Sequence, residues 1–332
     1  MEDAKNYKAI DPSFWEGRID GTAWEDMRWH QVVQAIDLSQ KELPILQPAE
    51  RGVVLIGFMC DEGVRRNKGR TGAKNGSYDL RKASMNLPVH FDDQLKLIDG
   101  GNIECNDKDM EGAQETLGKV VAKVLKAGYK PIVLGGGHEV AYGHYLGIKE
   151  FMKEKHPDKK LGIVNFDAHF DMRELEEGVG SSGTPFLQIA RDMEQEGNEF
   201  HYLVLGLQKN SNTKRLYQTA EKYGVSYVTG DKFNEGYRTK VFQEVSDFVD
   251  KVDFIYNTNC LDVFSSAYAP GVSATAFTGI VPDAFFTKTF KKLYKSQKVI
   301  TSDIAELNPE YDKDRQTAKL AAALTFIMVG NA

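Results

Sequence analysis

With 332 residues, 41% of them hydrophobic and 11% aromatic, the chain is long enough to bury a sizeable core in one or two domains. A formal net charge of −6 argues against nucleic-acid or anionic-membrane partners, which favour basic surfaces. Cys60, Cys105 and Cys260 are too few and too dispersed for a disulfide framework. No stretch reaches the ~18 apolar residues of a membrane span, and residues 1–10 lack the apolar core of a signal peptide, so the expectation is a soluble, cytoplasmic protein.

Residues 1–50 show weak periodicity and one dense cluster, Phe14-Trp15-Glu16-Gly17-Arg18-Ile19-Asp20. They read as an N-terminal extension packing onto a single domain that spans 1–332. Residues 52–58 are a short apolar run of the kind a fully buried strand has. A basic, glycine-rich loop follows at 61–76 and includes Asn67-Lys68-Gly69-Arg70; loops of this length are commonly functional, but its spacing is not that of a phosphate-binding loop. Residues 113–127 have helical spacing, and Gly128 stops them. A strand at 131–134 runs into Gly135-Gly136-Gly137-His138-Glu139. Another, at 161–166, runs into Asp167-Ala168-His169-Phe170-Asp171. Helices are expected at 185–196 and 241–252, with strands at 202–206 and 226–229 between them. A strand at 253–257 leads to Thr258-Asn259-Cys260-Leu261-Asp262, and one at 298–304 leads to Ala305-Glu306-Leu307-Asn308-Pro309. A helix at 316–329 closes the chain. Strands alternating with helices over nearly the whole length predict an α/β fold, a mostly parallel sheet covered on both faces.

The ligand-type residues fall at strand ends. Asp167, His169 and Asp171 alternate, so in extended backbone they face one way. His138 follows a turn of glycines, where a lone histidine is more often structural. Its weight comes from the other strand ends, because in a doubly wound sheet the carboxyl ends of neighbouring strands share one cleft. Five or six mixed nitrogen and oxygen ligands, rich in carboxylate, exceed what one tetrahedral zinc takes. They suit two hard or borderline ions such as Mn2+. Such a pair acidifies a shared water, which makes metal-assisted hydrolysis the expected chemistry.

These motifs resemble those of the ureohydrolases, the arginase and agmatinase family. Gly-Gly-Gly-His-Glu and Asp-Ala-His-Phe-Asp match two of its metal motifs, and residues 258–271 match the third, in family order over 53–329. The resemblance implies a three-layer αβα fold with the arginase type of mostly parallel sheet. It also implies a homo-oligomer, and two Mn2+ per chain: one on His138, Asp167 and Asp171, the other on Asp167, His169 and Asp262. One position departs. The third motif usually reads Asp-x-Asp, and Cys260 stands at the first aspartate. A thiolate is softer than a carboxylate and must first lose its proton, so Cys260 is either a weaker ligand or an inert core residue.

Within the family the nearer likeness is to members that split N-formimidoyl-L-glutamate into glutamate and formamide in histidine degradation, by a metal-activated hydroxide. The Trp-Glu-Gly-Arg segment at 15–18, the loop at 67–74 and the cysteine at 260 carry it. That substrate has two carboxylates and an amidine-like group, so its site needs cations and one anion. Arg173 stands where arginases have a neutral asparagine, and a planar guanidinium is the better carboxylate clamp. Arg70 is a candidate for the second carboxylate, with a plain surface arginine as the alternative. Glu306 matches the carboxylate that holds the guanidinium in arginases. Ser182 stands where those enzymes have a histidine thought to shuttle protons, which leaves Asp171 to pass a proton to the leaving amine. His144 reads as a core or surface residue. The rival readings are a relative acting on guanidinobutyrate or agmatine, whose cation Arg173 would repel, and a metal-poor binder of amidines.

Overall fold

The computed structural model describes residues 5–332; residues 1–4, the first part of the stretch read for a signal peptide, lie outside them. Ten strands form one sheet: β1 (Tyr7–Lys8), β2 (Gln34–Ala35), β3 (Arg51–Met59), β4 (Leu95–Glu104), β5 (Lys130–Leu134), β6 (Leu161–Phe166), β7 (His201–Leu207), β8 (Ser226–Thr229), β9 (Phe254–Cys260) and β10 (Val299–Ala305). Their order is β1-β4-β3-β5-β10-β9-β6-β7-β8, with β2 beside β4. Every pairing is parallel except β1 with β4.

Parallel neighbours need long crossovers, and helices such as Met110–Lys126, Val140–Lys155, Pro185–Gln195 and Arg238–Lys251 supply them. Two apolar clusters cover the two faces of the sheet. Val53 and Leu55 of β3 join one cluster with Phe285, Phe290 and Leu324, while Val54, Ile56 and Phe58 join the other with Leu117, Val121 and Ile148. Alternate residues of a pleated strand point to opposite faces. With both faces buried, the strands read as unbroken apolar runs rather than as an alternation. The αβα layering expected from the sequence is therefore present, with the ends of its elements moved by up to three residues. No helix among the described residues is long and apolar enough to cross a membrane.

Local signals account for individual boundaries. The helix Met110–Lys126 starts on Asp109, whose side chain accepts from Gly112 N at 2.9 Å, a cap that contributes about 1 kcal/mol. It stops before Gly128, at φ 82°. Residues 61–76 are not one irregular loop. They hold the short helix Glu62–Arg66 and a turn at Ala73–Asn75, then enter the helix Gly76–Ser84. β4 lies outside the expected strands because polar residues interrupt its apolar run. Asp99 there is buried against Arg81, and Trp15 of the N-terminal segment donates its Nε1–H to the same carboxylate at 2.9 Å.

Candidate active site

The four central strands, β5, β10, β9 and β6, are consecutive neighbours. Their register brings the carboxyl ends level: Leu134 lies opposite Ile304, Ala305 opposite Cys260, and Asn259 opposite Phe166. The residues that follow therefore gather at one edge of the sheet. His138 arrives through the glycine turn after β5, Glu306 directly after β10, Cys260 and Asp262 at the end of β9, and Asp167 to Asp171 after β6. A Cβ on Gly136 would stand 1.7 Å from the carbonyl oxygen of Cys60, so only glycine lets the turn pass that close to β3 and deliver His138. Asp171 and Glu306 have φ of 46° and 70°, left-handed backbone that costs a non-glycine residue energy and tends to gather at functional sites.

Asp167 is buried and turns a different oxygen to each histidine. Its Oδ2 lies 3.0 Å from His138 Nδ1 and its Oδ1 lies 3.4 Å from His169 Nδ1. Asp171 Oδ2 is 2.9 Å from His138 Nδ1, and Asp262 Oδ2 is 3.2 Å from His169 Nδ1. Two groups result, His138–Asp167–Cys260 and Asp167–His169–Asp262, each with its ligand atoms within 4.8 Å of one another. Asp167 is common to both.

Charge in this cluster is unbalanced. Burial, and then the charge of Asp167, push Asp171 and Asp262 above the ordinary carboxylate range. Burial and then Asp262 push Glu306 well above it. Burial opposes protonation of His138 and His169, but the surrounding carboxylates outweigh it and hold both well above the usual imidazole value. The Cys260 thiol is pushed up by burial, then by Asp167 and Asp262. Asp262 Oδ1 and Glu306 Oε2 are buried with no hydrogen-bond partner. Buried acceptors without donors, and carboxylates that raise one another, are what bound cations would correct. Two imidazoles, three carboxylates and a thiol thus fit a pair of divalent ions.

The cluster forms the floor of an open cleft of about 1190 Å3, whose walls include Arg173, Arg70, Ser182 and Lys68. Arg173 is exposed on the wall, and its guanidinium has no ion-pair partner within 4 Å among the described residues. Arg70 differs: Nε donates to Ser273 O at 3.0 Å, Nη2 to Val272 O at 2.6 Å, and the guanidinium lies 4.0 Å over the Tyr311 ring. Ser182 is buried in the wall, where its hydroxyl accepts from Asn67 Nδ2 at 3.2 Å. Glu306 Oε1 accepts from His138 N at 2.9 Å, and its Oε2 is buried with no partner.

A sequence model of the Arginase family matches residues 51–330. The chain belongs to the arginase family. Formimidoylglutamase of Clostridium tetani is 44% identical over 325 residues, 98% of this chain and 96% of its own length. Among solved structures, formimidoylglutamase from Bacillus subtilis superposes with a TM-score of 0.78 at 23% identity, over 95% of this chain and 93% of that one, and shows the shared fold. Trypanosoma cruzi formiminoglutamase with Mn2+2 superposes with a TM-score of 0.72 at 25% identity, over 85% of this chain and 93% of that one.

Behind the cluster, this arginase-family chain has a second layer that the sequence reading passed over. Thr258 donates its hydroxyl to Asp303 Oδ1 at 2.6 Å and lies 3.0 Å from His138 Nε2. With its proton given to Asp303, the hydroxyl accepts from His138 Nε2–H. Nδ1 is then the nitrogen whose proton a bound cation would displace, the arrangement a metal-binding imidazole needs. Asp303 also accepts from Tyr256, and its Oδ2 lies 2.8 Å from His144 Nδ1. His144 is thus fully buried in this layer, away from the cleft. One signal for Thr258 was available: it stands two residues before Cys260 on a strand, and so on the same face.

Proposed function

We infer that this chain hydrolyses the C–N bond of N-formimidoyl-L-glutamate, giving L-glutamate and formamide. The observation that carries the reading is the pairing of a carboxylate–imidazole floor with an unpartnered guanidinium, Arg173, on the wall of the same cleft. The 44% identity to a formimidoylglutamase over nearly the whole chain supports it.

His138, Asp167 and Asp171 would hold one divalent cation, and Asp167, His169 and Asp262 the other, with Mn2+ the ion in the related Trypanosoma cruzi structure. The sulfur of Cys260 lies with the ligand atoms of His138 and Asp167, at the first of these. When bound, such a pair supplies Lewis acidity and lowers the pKa of a shared water. The protein's own groups do the rest. The unpartnered Oε2 of Glu306 accepts from the formimino N–H and orients the carbon toward the floor. Arg173 grips one substrate carboxylate with two parallel donors. Arg70 has most of its donors committed to the 272–273 backbone, so its part is to shape the wall and present positive charge to the second carboxylate. Ser182 offers a hydroxyl at the same wall. Asp171 takes a proton from the attacking water and returns it to the departing amine nitrogen.

The test is a direct assay. Purified protein supplied with Mn2+ is incubated separately with formimidoylglutamate, arginine, agmatine and guanidinobutyrate, and formamide and urea are measured. Formamide from the first substrate alone is expected. Urea from any guanidino compound, with no formamide, would replace this reading.

A further inference from the structure

Cys60 and Cys105 take no part in the cleft, yet the sheet brings them together. β3 and β4 are parallel with Met59 opposite Glu104, and Cys105 N donates to Met59 O at 3.2 Å. The next residue of each strand is a cysteine, so the two stand side by side. Both side chains pack into the same apolar cluster on one face of the sheet. Each is the first influence on the other: Cys105 is held below the ordinary thiol range and Cys60 above it. Cys60 is buried, whereas Cys105 is only partly buried. A less buried, more acidic thiol beside a buried one is the arrangement of an attacking and a resolving cysteine.

Cys60 also touches the turn that carries a candidate metal ligand. Its carbonyl oxygen accepts from Gly137 N at 2.9 Å, one residue before His138, and Gly136 passes directly against it. Glu139, one residue after His138, accepts from Gly63 N at 3.0 Å in the segment just beyond Cys60.

We propose that Cys60 and Cys105 form a reversible dithiol–disulfide site that reacts with low-molecular-weight disulfides of the glutathione class and is coupled to the His138 turn. Cys105, as thiolate, attacks one sulfur of the added disulfide, and one thiolate leaves with the Cys105 proton. Cys60 sulfur then attacks Cys105 sulfur and displaces the second thiolate, which takes the Cys60 proton. The protein loses two electrons and two protons, and the added disulfide becomes two thiols. Drawing the sulfurs to bonding distance moves the Cys60 backbone, and with it the turn that rests on that backbone.

The full chain is treated with oxidised glutathione, then analysed by intact mass, peptide mapping and Mn2+ titration. A loss of about 2 Da, a 60–105 cross-linked peptide, reversal by dithiothreitol, and Mn2+ affinity weakened on the order of tenfold are expected. Cys105→Ser, at the partly exposed position, should abolish both the cross-link and the affinity change. Free thiols after treatment, or a stable glutathione adduct on Cys105 without cross-link, would overturn the site. A cross-link with unchanged affinity would overturn its coupling to the turn. The affinity readout rests on the metal reading above and the cross-link does not, so the two failures are distinguishable.

Discussion

Asp99 and the carboxylates of the cleft floor lie in the same sheet, and only Asp99 has every oxygen answered by protein donors. On β4, Asp99 accepts from Arg81 Nε at 2.8 Å and Nη2 at 2.9 Å, from Trp15 Nε1, and from Gly101 N at 3.1 Å. Both partners of that ion pair are fully buried, and every oxygen is used. At the carboxyl ends of β6, β9 and β10, Asp167, Asp171, Asp262 and Glu306 are crowded together with two imidazoles and no arginine or lysine between them. Two of their oxygens have no partner at all. A carboxylate that the fold neutralises is part of the scaffold. Carboxylates left to repel one another in a cleft are kept for something that binds there.

Several substitutions break or sharpen that contrast. The largest effect is expected at Asp171. Asp171→Asn keeps the shape but removes the proton carrier, and kcat should fall by roughly 10²- to 10⁴-fold, measured by formamide release. Next, Asp99→Ala strands a buried guanidinium and should cost about 3–5 kcal/mol of stability, measured by urea unfolding. Its folded fraction should bind as much metal as the parent. Asp262→Asn should do the reverse, stabilising the metal-free chain by relieving repulsion while lowering metal stoichiometry.

The site also predicts the sign of a pH effect. Glu139, at the end of the same turn, is pushed up to about 7 by burial. Asp171, Asp262 and Glu306 are raised in the same sense. A raised carboxyl destabilises the fold only once it must ionise, so this contribution worsens as pH climbs from the ordinary carboxylate value to about 7. His138 and His169, raised by their carboxylates, stabilise the fold below the ordinary imidazole value and lose that contribution as pH rises through their folded values. Asp167, held low, is constant over this window. The two changing sets agree in sign. Metal-free protein should lose stability from about pH 5 to pH 8, and Mn2+ should flatten that slope in thermal melts.

A smaller effect is expected on the wall. Arg173→Ala should raise KM for formimidoylglutamate roughly 10- to 100-fold with kcat less changed, and Arg173→Lys should recover only part of it. The smallest belongs to Cys260. Cys260→Asp removes the need to deprotonate a buried thiol, so Mn2+ affinity near neutrality should rise by roughly a few-fold, measured by titration.

How far the chain declared itself follows the same division. β3, β5 and β6 were legible because strands buried on both faces are largely apolar, whereas β9 was followed only to residue 257 because Thr258 and Asn259 at its end are polar. β4 was not, since Asp99 and Asn102 look like loop residues until Arg81 is seen beside them. The floor of the site could be named from motifs, but in the layer behind it only Thr258 carried a spacing signal, whereas Asp303, inside a strand, carried none that separates support from packing. Arg70 illustrates the remaining gap. Its place in a basic loop was plain, whereas the carbonyls of Val272 and Ser273 that occupy it come from a segment distant in sequence.

Equilibrium dialysis with Mn2+ tests whether the carboxylates of the cleft floor hold two divalent cations through a shared aspartate. Two ions bound per wild-type chain, and neither bound tightly by Asp167→Ala, are expected. Two ions retained by Asp167→Ala, or none bound by the wild-type chain, would contradict it.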